Sequence, residues 1–129
     1  MPMFKQIKGG LSQVKETPFK KEKELQTLTE KNLKTIFGLE FVATEYQVQN
    51  LFIDTLAFDI ENKTFVIIEY KRDRSFSVVD QGFSYLSLML NNKADFILAY
   101  NEAKGKSLKR DDVDWSQARI IFIARSFNV

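Results

Sequence analysis

An α/β domain of order α-β-β-β-α-β, in which helices flank a central mixed sheet, follows from three features of the chain. A helical apolar period precedes several β-prone segments, two of those segments are joined by a short turn, and a second helical period separates them from further strand-like runs. With 129 residues, 44% hydrophobic and 28% charged, residues 1–129 fit a single domain that buries about two-thirds of its unfolded surface.

The first twenty residues carry Gly9-Gly10 as a turn and Thr17-Pro18 as a breaker, and read as an N-terminal arm or hairpin (1–20). From Phe19 or Lys20 to about Phe37, Leu25, Leu28, Leu33 and Ile36 recur at helical spacing, and Gly38 is a natural stop. Phe41 to Gln47 predicts the first strand. Leu51 to Phe58 and Thr64 to Lys71, joined by the turn-like Asp59 to Lys63, predict a β-hairpin. Ser77 followed by Asp80 makes an imperfect capping box, and Val78 to Leu90 is apolar with helical period, ending at Asn91-Asn92. Phe96 to Tyr100 reads as a buried strand, which makes strand 65–71, helix 77–91 and strand 95–100 a right-handed βαβ crossover with parallel strands. A polar loop over 101–117 leads to a closing strand, Arg119 to Ala124. Trp115 reads as core or as a strand-entry anchor, ahead of a base-stacking role.

Composition removes whole classes of chemistry. The chain has no Cys and no His, which excludes disulfides, thiolate or imidazole zinc sites and every His-dependent triad. Acid–base work falls to Asp, Glu, Lys or Tyr, and a metal would be held by oxygens, favouring Mg²⁺, Mn²⁺ or Ca²⁺. No run of some 18 apolar residues and no signal-peptide pattern is present, so the chain reads as cytoplasmic and not membrane-bound. The net charge is only +2, but it is unevenly spread. Residues 1–34 hold eight Lys against four Glu, residues 35–95 five basic against nine acidic, and residues 96–129 six basic against four acidic. An acidic centre between basic ends suits a metal site bordered by phosphate-binding surface, though uneven charge is common on ordinary domains.

Within the hairpin, pairing Phe58 with Phe65 sets Asp54 directly across from Glu69. Side chains alternate along a strand, so Lys71 shares the Glu69 face and flanks the pair. Like charges directly opposite cost roughly 0.2–1 kcal/mol, and more where the surroundings are dry. A bound divalent cation would remove that penalty. A slip of one residue would set Asp54 against Ile68 or Tyr70, among apolar side chains. The ordinary alternative is an ion pair between Glu69 and Lys71 at a strand end, with Asp54 a turn-proximal acid.

Several ordered segments carry a resemblance: Phe19-Lys-Lys-Glu22-Lys-Glu-Leu-Gln26, Glu30-Lys-Asn-Leu33, Phe41-Val-Ala-Thr-Glu45-Tyr46, Ile53-Asp54-Thr-Leu56, Ile67-Ile-Glu69-Tyr-Lys71-Arg72, Asp80-Gln81-Gly-Phe-Ser-Tyr85-Leu86 and Asp114-Trp115-Ser. Together they resemble the PD-(D/E)XK nuclease superfamily, with its restriction-endonuclease-like αβββαβ core. The similarity is to the NucS-like, RecB-like branch, and within it to small proteins catalogued as uncharacterised or as predicted transport proteins. Phe52 departs from the pattern, standing where such proteins often place a basic or glycine residue. Proteins of this kind tend to continue past the final strand, so Val129 is expected to mark a truncation.

The resemblance implies a metal-dependent DNA endonuclease or exonuclease hydrolysing phosphodiester bonds. Asp54 and Glu69, helped by the Tyr70 carbonyl, would hold one or two Mg²⁺ (or Mn²⁺) ions, and Lys71 would orient the attacking water or stabilise the transition state. It also implies that a first-helix acid turns toward the metal. Glu22 falls about 60° from Leu25 on the helical wheel and Glu30 about 140°, so Glu22 is the candidate and Glu30 its substitute, with a solvated first-turn acid as the alternative for Glu22. Gln81 would line the site, with Tyr85 one turn later on the same stripe, or the glutamine would serve helix packing. Arg72, Arg74, Lys104, Lys106, Lys109 and Arg110 are candidates for backbone contact, or solvated loop residues. DNA is the implied partner, and a homodimer is the assembly that nucleases of this fold often adopt. A non-catalytic nucleic-acid-binding or interaction module that retains the fold is the alternative function.

Overall fold

The computed structural model describes residues 3–7, 10–14, 22–71 and 78–124, with side chains described for 23–71 and 80–124. A four-stranded mixed sheet, flanked by helices, organises the chain in the order β3 (Glu40–Val48), β4 (Leu51–Asp59), β5 (Thr64–Lys71) and β6 (Arg119–Ala124). A separate two-stranded hairpin precedes it: β1 (Met3–Ile7) pairs antiparallel with β2 (Gly10–Val14). Among the described residues no helix is long and apolar enough to cross a membrane.

The first helical period is divided into α1 (Glu22–Lys31) and α2 (Leu33–Phe37). Asn32 makes the break, its N–H donating to the Thr29 carbonyl at 3.0 Å and its side-chain amide to the Leu28 carbonyl at 2.8 Å. Gly38, at φ 68°, ends α2 in the left-handed conformation that a glycine adopts without a Cβ penalty. The expected stripe defines the inward face only in part, through Leu33 and the partly buried Leu25. Leu28 and Ile36 are exposed, whereas Gln26, Thr29 and Leu33 are buried.

β3 (Glu40–Val48), β4 (Leu51–Asp59) and β5 (Thr64–Lys71) form an antiparallel meander. The β4–β5 register pairs Thr55 with Ile68 and Phe58 with Phe65, as the hairpin pattern predicts. Asp59 fixes the turn. Its carboxylate accepts from the Asn62 N–H and side-chain amide at 3.0 and 2.8 Å and from Arg119 at 3.0 Å. Burial alone would raise the Asp59 carboxyl, but these donors outweigh it and hold the group below the ordinary carboxylate range.

After β5 the chain crosses over through α3 (Val78–Asn91) and α4 (Lys93–Lys104), then through 3₁₀ turns at Arg110–Asp112 and Trp115–Gln117, to β6 (Arg119–Ala124). β6 is the strand parallel to β5, pairing Glu69 with Phe122. The strand expected at Phe96 to Tyr100 is therefore helical, and Arg119 to Ala124 completes the αβββαβ order in its place. A short unbroken apolar run does not distinguish strand from buried helix. Here burial selects Phe96 and Tyr100, four residues apart, and leaves Leu98 56% exposed. Gly105, at φ 62°, caps the helix by donating to the Asn101 carbonyl.

The sheet is covered on both faces. On one, Ile53, Leu56, Phe58, Phe65 and Ile67 pack with Tyr85, Met89, Phe96 and Tyr100; on the other, Ala57, Val66, Ile68 and Tyr70 meet Leu33 and Leu39. Double coverage explains why β4 and β5 read as continuous apolar runs. Trp115 stacks on Phe65 at 5.7 Å and donates its indole N–H to the Arg110 carbonyl, so it anchors the approach to β6.

Phe96→Ala should cost about 3–5 kcal/mol in urea unfolding, while Leu98→Ala should stay within about 0.5 kcal/mol. Equal losses would contradict the helical placement of this segment.

Candidate functional site

Two central strands part company at Asp54. The β4–β5 ladder runs from Asp59–Thr64 to Thr55–Ile68, and the next residues in register, Asp54 and Glu69, form no ladder pair. Instead the Asp54 N–H donates to Glu69 Oε2 at 2.7 Å, and the Tyr70 N–H donates to Asp54 Oδ2 at 3.0 Å. Each carboxylate takes the place of a backbone acceptor. On the other side, β3 pairs Thr44 with Thr55 and Tyr46 with Ile53 but leaves Glu45 and Asp54 unpaired. Glu45 sits at φ 49°, a left-handed conformation that costs an L-residue roughly 1–2 kcal/mol. β4 is thus released from both neighbours at one residue, whose carbonyl accepts from Gln26 Nε2 at 2.8 Å.

Electrostatics at this gap are unfavourable to charge. Glu69 is 3% exposed, with Oε1 accepting from the Tyr85 hydroxyl at 2.7 Å. Burial pushes its carboxyl up to about 7; the Asp54 charge adds to the rise, against the Asp54 N–H, the Tyr85 hydroxyl and Lys71. Asp54 is raised as well, chiefly by burial, with the Tyr70 N–H and Lys71 opposing and the Glu45 and Glu30 charges adding. Tyr85 is raised by burial and by Glu69, which keeps it a donor. Lys71 follows Glu69 on the same face of β5, its Nζ 5.9 Å from the centroid of the Phe122 ring, and Phe122 is the β6 residue in register with Glu69.

Gln81 lies in the first turn of α3, one turn before Tyr85. Its Oε1 is buried and has no hydrogen-bond partner among the described residues. A Cβ built on the neighbouring Gly82 would stand 3.8 Å from Phe122, so the start of α3 rests on β6 beside Glu69. Asp54, Glu69, Lys71, Gln81 and Tyr85 therefore gather at one end of the sheet. Tyr70, between Glu69 and Lys71, contributes its backbone there while its side chain turns to the other face.

That other face holds a polar network of which the sequence singled out only Glu30, as the substitute first-helix acid. Gln26 Nε2 reaches Thr44 Oγ1 at 3.0 Å and Glu30 Oε2 at 3.2 Å, besides the Asp54 carbonyl. Thr55 Oγ1 donates to Glu30 Oε2 at 2.6 Å and lies 3.0 Å from the Tyr70 hydroxyl, which burial pushes up to about 12. Glu30 is thus tied to Thr55, next to Asp54 on β4; Glu22 begins α1 and its side chain lies outside the described residues. The missed signal was the stripe Gln26, Thr29, Glu30 and Leu33, which shares one helix face at i, i+3 and i+4 spacing.

Among the described residues the basic loop candidates do not gather here. Lys104 pairs with Glu40 at 3.9 Å, and Lys106 lines a cavity of about 1000 Å³ with Glu61, Asn62 and Lys63, at the hairpin turn. Lys109 and Arg110 belong to the same loop region, at the first 3₁₀ turn. The turn begins five residues along β4 from Asp54, about 17 Å at ~3.4 Å per residue. Arg72 and Arg74 lie outside the described residues. Among the described residues no group of three or more His, Cys, Asp or Glu is arranged to hold a metal ion.

Comparison with known proteins bears on the fold. No family model matches the chain. An uncharacterized protein of Haemophilus influenzae is 55% identical over 128 residues, which cover 99% of this chain and 42% of that protein, so the chain spans less than half of this relative's length. Among solved structures, an EndoMS–dsDNA2 complex aligns over 92% of this chain and 44% of its own, with a TM-score of 0.55 and 18% identity. A repair endonuclease from Pyrococcus abyssi aligns over 92% and 43%, with a TM-score of 0.45 and 18% identity. The match to EndoMS establishes an endonuclease-type fold.

The raised carboxyls carry a pH signature. Because folding raises Glu69 from an ordinary value near 4.5 to about 7, the native state binds more protons across that interval. Its stabilising contribution, present at lower pH, is lost as pH rises through that window. Glu69→Gln should therefore be more stable than wild type by roughly 1–3 kcal/mol at pH 8 and nearly equal to it near pH 4.5, by calorimetry without added metal. A pH-independent difference would contradict the burial of this charge.

Proposed function

We propose that the chain is a metal-dependent nuclease domain that hydrolyses phosphodiester bonds of DNA at the Asp54–Glu69–Lys71 end of the sheet. The observation that carries this reading is the pair of acids built into a gap between two central strands, both raised by burial and both beside a lysine. An isolated structural domain gains nothing from two carboxylates held where charge is costly, whereas a cation-binding site needs this arrangement. The EndoMS match adds support, since that protein has the same fold and its structure contains double-stranded DNA.

The donor set suits a small hard cation. Two carboxylates, the Tyr70 carbonyl next to Glu69 in the chain and, from the start of α3, the buried Gln81 Oε1 without a partner among the described residues, are oxygen donors of the kind that would suit Mg²⁺ or Mn²⁺, which take one or two carboxylates and fill the rest with water and phosphate. Asp54 and Glu69 would hold the ion. When bound, such a cation neutralises charge on the scissile phosphate and lowers the pKa of a coordinated water. The chain's own residues then have separate tasks. Tyr85 fixes the Glu69 carboxylate through its 2.7 Å bond, and the Tyr70 N–H fixes Asp54. Lys71 meets the non-bridging oxygens or the attacking water, and Gln81 hydrogen-bonds the phosphate or its hydration shell.

Incubation with single-stranded, flapped and duplex DNA should give cleavage that requires Mg²⁺ or Mn²⁺. Asp54→Ala and Glu69→Ala should each lower it at least about a hundredfold, and Lys71→Met should do the same at saturating metal. Salt-dependent DNA binding that survives both acid substitutions, with no cleavage by the wild type and no calorimetric metal binding, would mark a non-catalytic nucleic-acid-binding module instead.

A further inference from the structure

We infer that Gln26 is a positioning residue: its amide holds the Asp54 main chain out of the sheet ladder, so that the Asp54 carboxylate meets the Tyr70 N–H and the Asp54 N–H meets Glu69. The value of this to catalysis rests on the function proposed above; the geometry stands apart from it.

Asp54 lies between two strands and pairs with neither. A buried central-strand carbonyl without a donor is costly, and the ordinary remedy is to close the ladder. Gln26 supplies the donor from outside the sheet, at 2.8 Å. Three further features fit it to this task. Gln26 is only 5% exposed, so its amide is not an incidental surface group. Its nitrogen faces three acceptors, the Asp54 carbonyl, Thr44 Oγ1 and Glu30 Oε2, two of which can only accept. That fixes which end of the amide points at Asp54. Glu30 is held in turn by Thr55 Oγ1 at 2.6 Å, so the anchor of the amide is the residue that follows Asp54 on the same strand.

Removal of the donor leaves the carbonyl to find a partner on β3 or β5. The main chain would then close toward the ladder and draw the carboxylate from the Tyr70 N–H, and the Asp54 N–H from Glu69. An ordinary packing role for Gln26 predicts no such selectivity. A side chain of equal length and no donor would fill the same space.

Amide hydrogen exchange by NMR on the metal-free protein separates the two. Gln26→Met should speed exchange at Asp54 and Tyr70 at least tenfold while Val66 and Ile67 keep wild-type protection, and Thr44→Val, which removes a different partner of the same amide, should leave all four unchanged. Should Gln26→Met lose the Val66 and Ile67 protection as well, Gln26→Glu, of equal length with an acceptor in place of the donor, should give the selective loss. Unchanged protection at Asp54 and Tyr70 in a folded Gln26 variant, an equal loss in Thr44→Val, or general loss of protection in both Gln26 variants would overturn the inference. Cleavage of DNA should fall at least tenfold in Gln26→Met and stay within twofold in Thr44→Val. No metal-dependent cleavage by the wild type would sink the nuclease reading alone, since the exchange measurement still decides what Gln26 does.

Discussion

The reciprocal hydrogen bonds between Asp54 and the Glu69–Tyr70 segment set the terms for everything around them. β4 and β5 are central strands buried on both faces, so each backbone polar group there must find a partner. At Asp54 the partners are carboxylates in place of carbonyls. The substitution brings two acids into the sheet itself and exposes them to the same desolvation as their neighbours. Burial is the largest influence on both, and Lys71, although it favours their charged forms, does not offset it.

The layers on either side each steady one part of this arrangement. From the α3 face, Tyr85 donates to Glu69 and lies 3.3 Å from the Phe52 carbonyl. From the α1 face, Gln26 takes the Asp54 carbonyl and Glu30 binds Thr55. The inward face of α1 is polar because the sheet surface it meets is polar, with Thr55 and the Tyr70 hydroxyl buried there. An all-apolar stripe would have left Thr55 and Tyr70 with only each other and the Asp54 carbonyl without its donor, a loss of about 1–3 kcal/mol for that carbonyl. The acid end of the sheet is therefore held by side-chain hydrogen bonds, while the turn end is held by Asp59 with Asn62 and Arg119 and by the aromatic cluster of Phe58, Phe65 and Tyr100.

Legibility in the sequence followed how local each signal was. The β4–β5 register could be read because a one-residue slip would have turned an entire apolar set to the wrong face. Gly38 marked a helix end because its backbone conformation favours glycine irrespective of distant contacts. Phe96 to Tyr100 misled, since five residues with apolar character on every side look alike as strand or helix, and only the aromatic partners Phe65 and Phe58 settle which of them turn inward. Leu25, Leu28, Leu33 and Ile36 gave helical structure and, in Leu25 and Leu33, half of its inward face, but Leu28 and Ile36 point outward and the polar half of that face, with Gln26, was hidden.

What the sequence by itself determined is the order of elements up to α3, the hairpin register from Asp59–Thr64 to Thr55–Ile68, and the restriction to oxygen-based chemistry in a chain without His or Cys. Each of these depends on composition or on neighbours within a few residues along the strand. The tertiary structure alone decided that the ladder opens at Asp54, that β6 and not the 96–100 segment lies parallel to β5, and that α1 offers Gln26 and Glu30 to the sheet. These depend on which backbone groups go unpaired once the layers pack, and a hydrogen bond between residues 28 positions apart leaves no period in the sequence to reveal it.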